Sequence, residues 1–282
     1  MLTAVLGTFA ALIFGAADFL GGVASKRSHP VLVTATAAFS GLLVLGIIVA
    51  FVPGRWSQEA LLWGGLSGVA GALAIALLYA CLAIGPMSIL SPLTAVISAL
   101  VPVAFGLARG EQLGGLGLLG LGLAFVAVVL VGFVPEKGAV RPTLRGVLMA
   151  LGSGAMIGAF LVLIDLAPDD SGLVPLVLNR GINGLLMLGA IAFLAVRYRG
   201  TGRKLGTGGM RLAMLGGVVD AVANSLLLLG LRLGDLSVMG VLTALYPAGT
   251  ILLASTVLKE RIAPVQWAGL ALAVGATALL AL

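Results

Sequence analysis

The feature that most constrains this chain is a series of unbroken apolar runs, each about 20 residues long, which is the length an α-helix needs to cross a bilayer. Short clusters of Pro, Gly and charge separate the runs. A closed barrel, the other backbone that lipid tolerates, would alternate apolar and polar residues over strands of roughly 10 residues. The runs here are continuous, so helices are expected. Composition agrees: 61% of the 282 residues are hydrophobic and 9% charged, with mean hydropathy +1.22, whereas soluble domains carry about 25% charged residues. A single water-soluble core cannot hide that much apolar surface.

The separating clusters include Lys26 to Pro30, Pro53 to Arg55, Gly85-Pro86, Arg109 to Glu111, Pro135 to Gly138, Pro168 to Asp170, Arg197 to Arg211, Gly234-Asp235 and Lys259 to Arg261. They predict helices at roughly 2–24, 31–52, 60–84, 87–107, 113–134, 145–165, 173–197, 211–231, 236–257 and 263–282. No loop is long enough for a separate soluble domain. The 42 glycines are read as packing residues, because lipid tails give helices no hydrophobic reason to associate and close backbone approach takes that role.

Several function classes recede at this point. Cys81 is the one cysteine, which excludes a disulfide framework and a cysteine metal site. His29, the one histidine, precedes Pro30 in a short loop and is expected to be a turn residue rather than a metal ligand. A basic balance of +6 might suggest nucleic acid, but the lysines and arginines sit at helix ends, where they bias insertion. Residues 1–24 lack the charged start of a cleavable signal peptide. The sequence has no Walker loop, metal constellation or Ser/His/Asp set, so neither an enzyme nor a cofactor is expected.

Internal repetition says more. Displaced by 143 residues, Gly15-Ala16 falls on Gly158-Ala159, and Gly41 to Gly46 falls on Gly184 to Gly189. Displaced by 149, Gly85 meets Gly234, Ser88 meets Ser237, Leu93-Thr94-Ala95 meets Leu242-Thr243-Ala244, and Glu111 meets Glu260. The expected fold is therefore an all-α integral membrane protein with ten transmembrane helices in two five-helix repeats, 1–138 and 139–282. Five is odd, so the second repeat enters the membrane inverted. Inverted repeats are a transporter architecture with the substrate site near the midplane between halves.

Two five-helix halves, each with a helix–Glu turn–helix ending (Ala108 to Glu111 and Leu258 to Arg261), resemble the drug/metabolite transporter superfamily of the EamA type. Gly15-Ala16-Ala17-Asp18-Phe19 resembles that family's Gly-x-x-Asn-Phe pattern, with Asp in place of Asn. Gly85 to Ser88 and Gly234 to Ser237 resemble its turns before the fourth and ninth helices. The resemblance spans the chain and implies alternating-access transport of small metabolites, with cytoplasmic termini. The charge distribution points the other way. Lys26, Arg27, Lys137, Arg141, Arg145, Arg197, Arg199, Arg203, Lys204, Arg211, Lys259 and Arg261 gather on one side, against Arg55, Arg109 and Arg232 on the other. The positive-inside rule then places both termini outside, so the sequence leaves orientation open.

Ionisable residues inside a span cost roughly 2.5–3.5 kcal/mol on insertion scales, which makes each a functional candidate. Asp220 is the deepest acid, with Asn224 one turn on; it suits proton coupling or a cationic substrate, or pairs structurally with Arg180. Asp18 lines a cavity and shares the proton-coupling role, or pairs with Lys26 or Arg27. Asp165 is expected as a solvated helix end. Arg180 meets a substrate carboxylate or serves as counter-ion, and Asn179 and Asn183 flank it. Tyr246, before Pro247, and Tyr79 add aromatic faces that would suit a cation. The expected substrate-binding set is thus Asp18, Tyr79, Arg180, Asn183, Asp220, Asn224 and Tyr246. No metal is expected. The expected function is a secondary transporter of a small molecule (amino acid, amine or drug-like cation) in the plasma, or bacterial inner, membrane, its oligomeric state unreadable. A flippase or scramblase of a lipid-linked substrate is the alternative; it would need a lateral groove with basic headgroup contacts.

Overall fold

The computed structural model describes residues 1–52, 54–84, 87–132, 142–197, 206–259 and 261–281, without the side chains of 79, 82–84, 87–89, 91 and 92. Its helices are α1 Leu2–Ser25, α2 Pro30–Phe51, α3 Gln58–Ile84, α4 Met87–Ala108, α5 Gly115–Gly132, α6 Leu144–Asp165, α7 Val174–Arg197, α8 Met210–Leu233, α9 Leu236–Thr243, α10 Tyr246–Val257 and α11 Pro264–Ala281. Among the described residues nine stretches are long and apolar enough to cross a membrane, counting α9 and α10 as one; α4, apolar over Leu93–Ala108, makes the tenth. The protein is an all-helical, multi-pass membrane protein, as the apolar runs predict.

Local chemistry explains the helix starts. Pro30 opens α2, where its missing N–H costs nothing, and His29 Nδ1 accepts the Val31 N–H at 3.3 Å. His29 is a helix cap. Thr143 caps α6 in the same way, accepting the Gly146 N–H at 3.1 Å. The ninth span departs from a single continuous helix. It breaks at Ala244-Leu245, because Pro247 has no N–H to offer the preceding turn. Tighter bonds bridge the break: Leu245 N–H to Leu242 O at 3.1 Å and Ala248 N–H to Leu245 O at 2.9 Å.

The packing inverts the pattern of a soluble protein. Leu43, Ile47, Leu185 and Phe193 are exposed, while Ala10, Ala24, Ala124, Ala127 and Ala223 are fully buried. Large apolar side chains face lipid, and small ones let backbones approach. α1 runs antiparallel to α8, with Gly230 beside Leu6 and Gly216 beside Leu20. It runs parallel to the ninth span, where Gly7 lies by Leu242 and Gly15 lies against Tyr246 and Gly249. A Cβ on Gly15 would strike the backbone of α10, so that crossing requires glycine. Thr250 Oγ1 seals it by donating to Gly15 O at 3.1 Å.

The remaining helices pair across the molecule too. α6 lies along α4, with Gly154 by Ile97 and Gly158 by Val101. It also receives α3, Ser153 Oγ donating to Ala74 O at 2.9 Å. α2 lies along α8, where Ser40 Oγ donates to Met214 O at 3.0 Å, and α3 lies along α7, where Asn179 Nδ2 donates to Ser67 Oγ at 3.0 Å. α5 packs on α11.

Candidate functional site

Four partly accessible polar side chains from four helices meet in the middle of the bundle. Arg180 enters from α7 and Asp220 from α8, and they form an ion pair. Their side chains are 14% and 26% exposed. Asp18, from α1, lies within electrostatic reach of Asp220, and Tyr246, at the break before α10, lies within reach of Asp18. Asp18 is exposed and follows Gly15 by three residues, so it lies on the face of α1 that meets α10. Among the described residues it has neither a hydrogen bond nor an ion pair.

The crossing helices explain this convergence. Glycine at 15 draws α10 onto α1, which brings Tyr246 toward Asp18 one turn away. Gly217 is pressed on Ala37 and Ser40 of α2, and Asp220 follows it by three residues on α8. The two asparagines of the expected set are deeper. Asn183 and Asn224 are 3% and 1% exposed, and among the described residues each leaves its carboxamide oxygen without a partner. Asn224 Nδ2 donates to Asp220 O at 2.8 Å, so it steadies the helix beneath the acid. The Tyr79 side chain and Glu260 lie outside the described residues.

The side of the bundle carrying the α2–α3, α4–α5, α6–α7 and α8–α9 connections is closed by polar ties. Arg55 N–H donates to Asp170 O at 2.9 Å, and its guanidinium pairs with the Asp170 carboxylate at 3.3 Å. Arg109 pairs with Asp165 at 3.0 Å, so Asp165 is a tethered helix end, not a freely solvated one. Arg232 donates to Gly172 O at 2.7 Å. Glu111 reaches across to the start of α9, accepting the Leu236 N–H at 2.8 Å and the Ser237 N–H at 3.1 Å. Burial and the nearby Glu111 carboxylate raise the adjacent Asp235 carboxyl above its ordinary range. The partner of Glu111 lies 125 residues away, and the matched Glu turns are the one feature of the sequence that hinted at a shared role.

A separate groove of about 530 Å³ lies between α1, the ninth span and α11. Ala11, Leu12, Leu245, Leu252, Trp267 and Val274 are among its walls, and no charged side chain lines it. Among the described residues, no group of three or more His, Cys, Asp or Glu is placed to hold a metal ion.

Comparison with known proteins adds two findings. The model of the EamA-like transporter family matches residues 144–282. A crystal structure of another protein superposes with a TM-score of 0.74 at 19% identity, covering 98% of this chain and 95% of that one. At that identity the likeness concerns the fold alone. No curated protein matches the sequence.

Proposed function

The chain belongs to the EamA-like transporter family, and from that premise we propose that it is a secondary active transporter that moves a small metabolite (an amino acid, an amine or a drug-like cation) by alternating access. At the coarser level it is a multi-pass membrane transporter of the drug/metabolite type. The single observation that carries the finer reading is the cluster of Asp18, Arg180, Asp220 and Tyr246. Its members come from different helices, are partly accessible, and sit where spans would otherwise hold no charge. A carboxylate there suits proton coupling, with Asp220 or Asp18 as the coupling group. Tyr79 belongs to the proposed set on its sequence position alone, and Asn183 and Asn224 support the pair from behind.

Alternating access rests on the two halves, 1–138 and 139–282, being inverted repeats. Three observations support that. Helix pairs exchange when each span is replaced by its counterpart: α1 with α8 becomes α6 with α3, and α2 with α8 becomes α7 with α3. Register agrees in detail, since Gly15 packs by Thr250 and its counterpart Gly158 packs by Val101, the counterpart of Thr250. The turn residues Gly110 and Lys259, also counterparts, both adopt left-handed backbone, with φ of 93° and 57°. The groove beside α11 lacks basic side chains, which favours a small molecule over a lipid-linked one. The plasma membrane is the proposed location.

Purified protein in proteoliposomes tests the coupling. Substrate is first sought by thermal shift against amino acids, amines, sugars and nucleosides. Flux of the hit should then depend on an imposed pH gradient, and Asp220→Asn should remove that dependence. Unchanged pH-dependent flux in the variant sinks the coupling role of Asp220.

A further inference from the structure

The central cluster has an unbalanced charge. Asp18 and Asp220 contribute two carboxyl groups, and Arg180 contributes one positive charge that Asp220 already engages. Among the described residues, the elements packed on α1 place no cation beside Asp18. α2, α9 and α11 carry no ionisable side chain, α10 brings Tyr246, and α8 brings Asp220, with its two arginines, Arg211 and Arg232, near its ends. Lys26 and Arg27 follow eight and nine residues later, beyond the end of α1 at Ser25, about 12 Å along the axis at 1.5 Å per residue.

From this we infer that the site takes a monovalent organic cation, a protonated amine, whose charged head sits between the Asp18 carboxylate and the Tyr246 ring. The inference rests on the transport reading and narrows it. A carboxylate inside a span, with no partner among the described residues, is completed by a cation, and an aromatic ring within reach adds attraction for the same charge. Anions meet the opposite situation. The Arg180 guanidinium already pairs with Asp220 through Nη2, and although its Nε has no partner among the described residues, a carboxylate or phosphate bound there would add negative charge beside Asp220 and Asp18. A zwitterion satisfies Asp18 with its ammonium but brings a second carboxylate into a site that is already net negative. A neutral molecule leaves Asp18 uncompensated. The ordering of head groups is therefore amine first, then zwitterion, then neutral, then anion.

Binding to purified protein in detergent, measured by calorimetry and thermal shift, tests this independently of flux. The probes share one ring: 2-phenylethylamine, phenylalanine, 2-phenylethanol and 3-phenylpropionate, with tetramethylammonium and tetraethylammonium as ring-free cations. At least one amine or ammonium probe should bind, and the propionate should not. Asp18→Asn should weaken amine binding by roughly a hundredfold, the scale on which losing one partner of a desolvated charge pair acts. Asp18→Glu should retain it. Among the described residues Asp18 makes no hydrogen bond or ion pair, and Asp18→Asn removes a like charge near Asp220, so the variant should melt at or above the parent temperature, which separates lost binding from lost fold. Propionate binding tighter than the amine, undiminished amine binding in Asp18→Asn, or no binding by any cationic probe each overturns the inference. Cation binding without flux in proteoliposomes keeps the cation site and removes the transport reading. Flux of a neutral or anionic solute without cation binding does the reverse.

Discussion

In the first half, the second and third helices present Ala37 and Gly71 at the positions where the second half presents Arg180 and Asp220. The same contrast holds for the other two members of the cluster, since Asp18 corresponds to Leu161 and Tyr246 to Ile97. The break in the ninth span is also one-sided. Its counterpart in the fourth span carries Ser98 in place of Pro247, and Ser98 donates to Ala95 O at 2.8 Å within an intact helix. Backbone crossings recur in both halves; the charges and the broken helix do not. On the proposed inverted repeat, a scaffold of matched crossings with an unmatched centre suits rocking between two related shapes around one site. Small residues in the first half matter to this as much as charges in the second. Gly71 lies against Asn183, and the Ala37 backbone lies so close to Gly217 that a Cβ on Gly217, three residues before Asp220, would strike it.

The largest expected effect comes from breaking that asymmetry. Arg180→Ala should cost about 3 kcal/mol, because removing one partner leaves Asp220 charged in a poorly hydrated place. The double variant Arg180→Ala with Asp220→Gly, which gives the second half the residues of the first, should recover to within about 1 kcal/mol of the parent. Thermal melts in detergent compare the two, and a double variant no more stable than the single one would mean that the pair is held for its packing rather than its charge balance.

A smaller effect sharpens how the halves are tied. Glu111→Gln keeps the shape of the cap on α9 but leaves one accepting oxygen in place of a charged pair of them. Stability should fall by about 1 kcal/mol, the scale of a helix N-terminal cap, again read by melting. A loss confined to the exposed Arg109–Asp165 pair, by contrast, should stay within about 1 kcal/mol and shrink with added salt.

The smallest effect concerns Asp235, whose first-half counterpart is the uncharged Pro86. Its carboxyl is raised in the folded protein, so the folded state holds the proton more readily than the unfolded chain. The ionised form therefore weakens the fold at neutral pH, and that weakening disappears as pH falls through the folded carboxyl's range. Asp235→Asn should raise the melting temperature slightly at neutral pH, with the gain fading in acid. A gain that persists at low pH would point to something other than charge.

Much of the fold is legible in one dimension because transfer into lipid is summed residue by residue along a segment. The helix ends at Pro30, Gly234-Asp235 and Lys259 lie within a few residues of the predicted boundaries for that reason. Arg180 and Asp220 stand out as a candidate pair for the same reason, as charges in the middle of apolar runs. Rotation of a helix about its axis is another matter. Asp18 as cavity lining or as partner of Lys26 were equal options along the chain, and the crossing at Gly15 put it toward Tyr246 and Asp220. The reach of Glu111 to α9 and of Arg109 to Asp165 depends equally on which turns meet at the membrane surface.

The amino-acid sequence by itself determined that this chain lives in a bilayer, where its ten spans lie and which few charges interrupt them, because those are sums of local transfer energies. Tertiary structure alone decided that Arg180 is engaged while Asp18 is not, because partnership between charges depends on how closely glycine lets distant backbones approach.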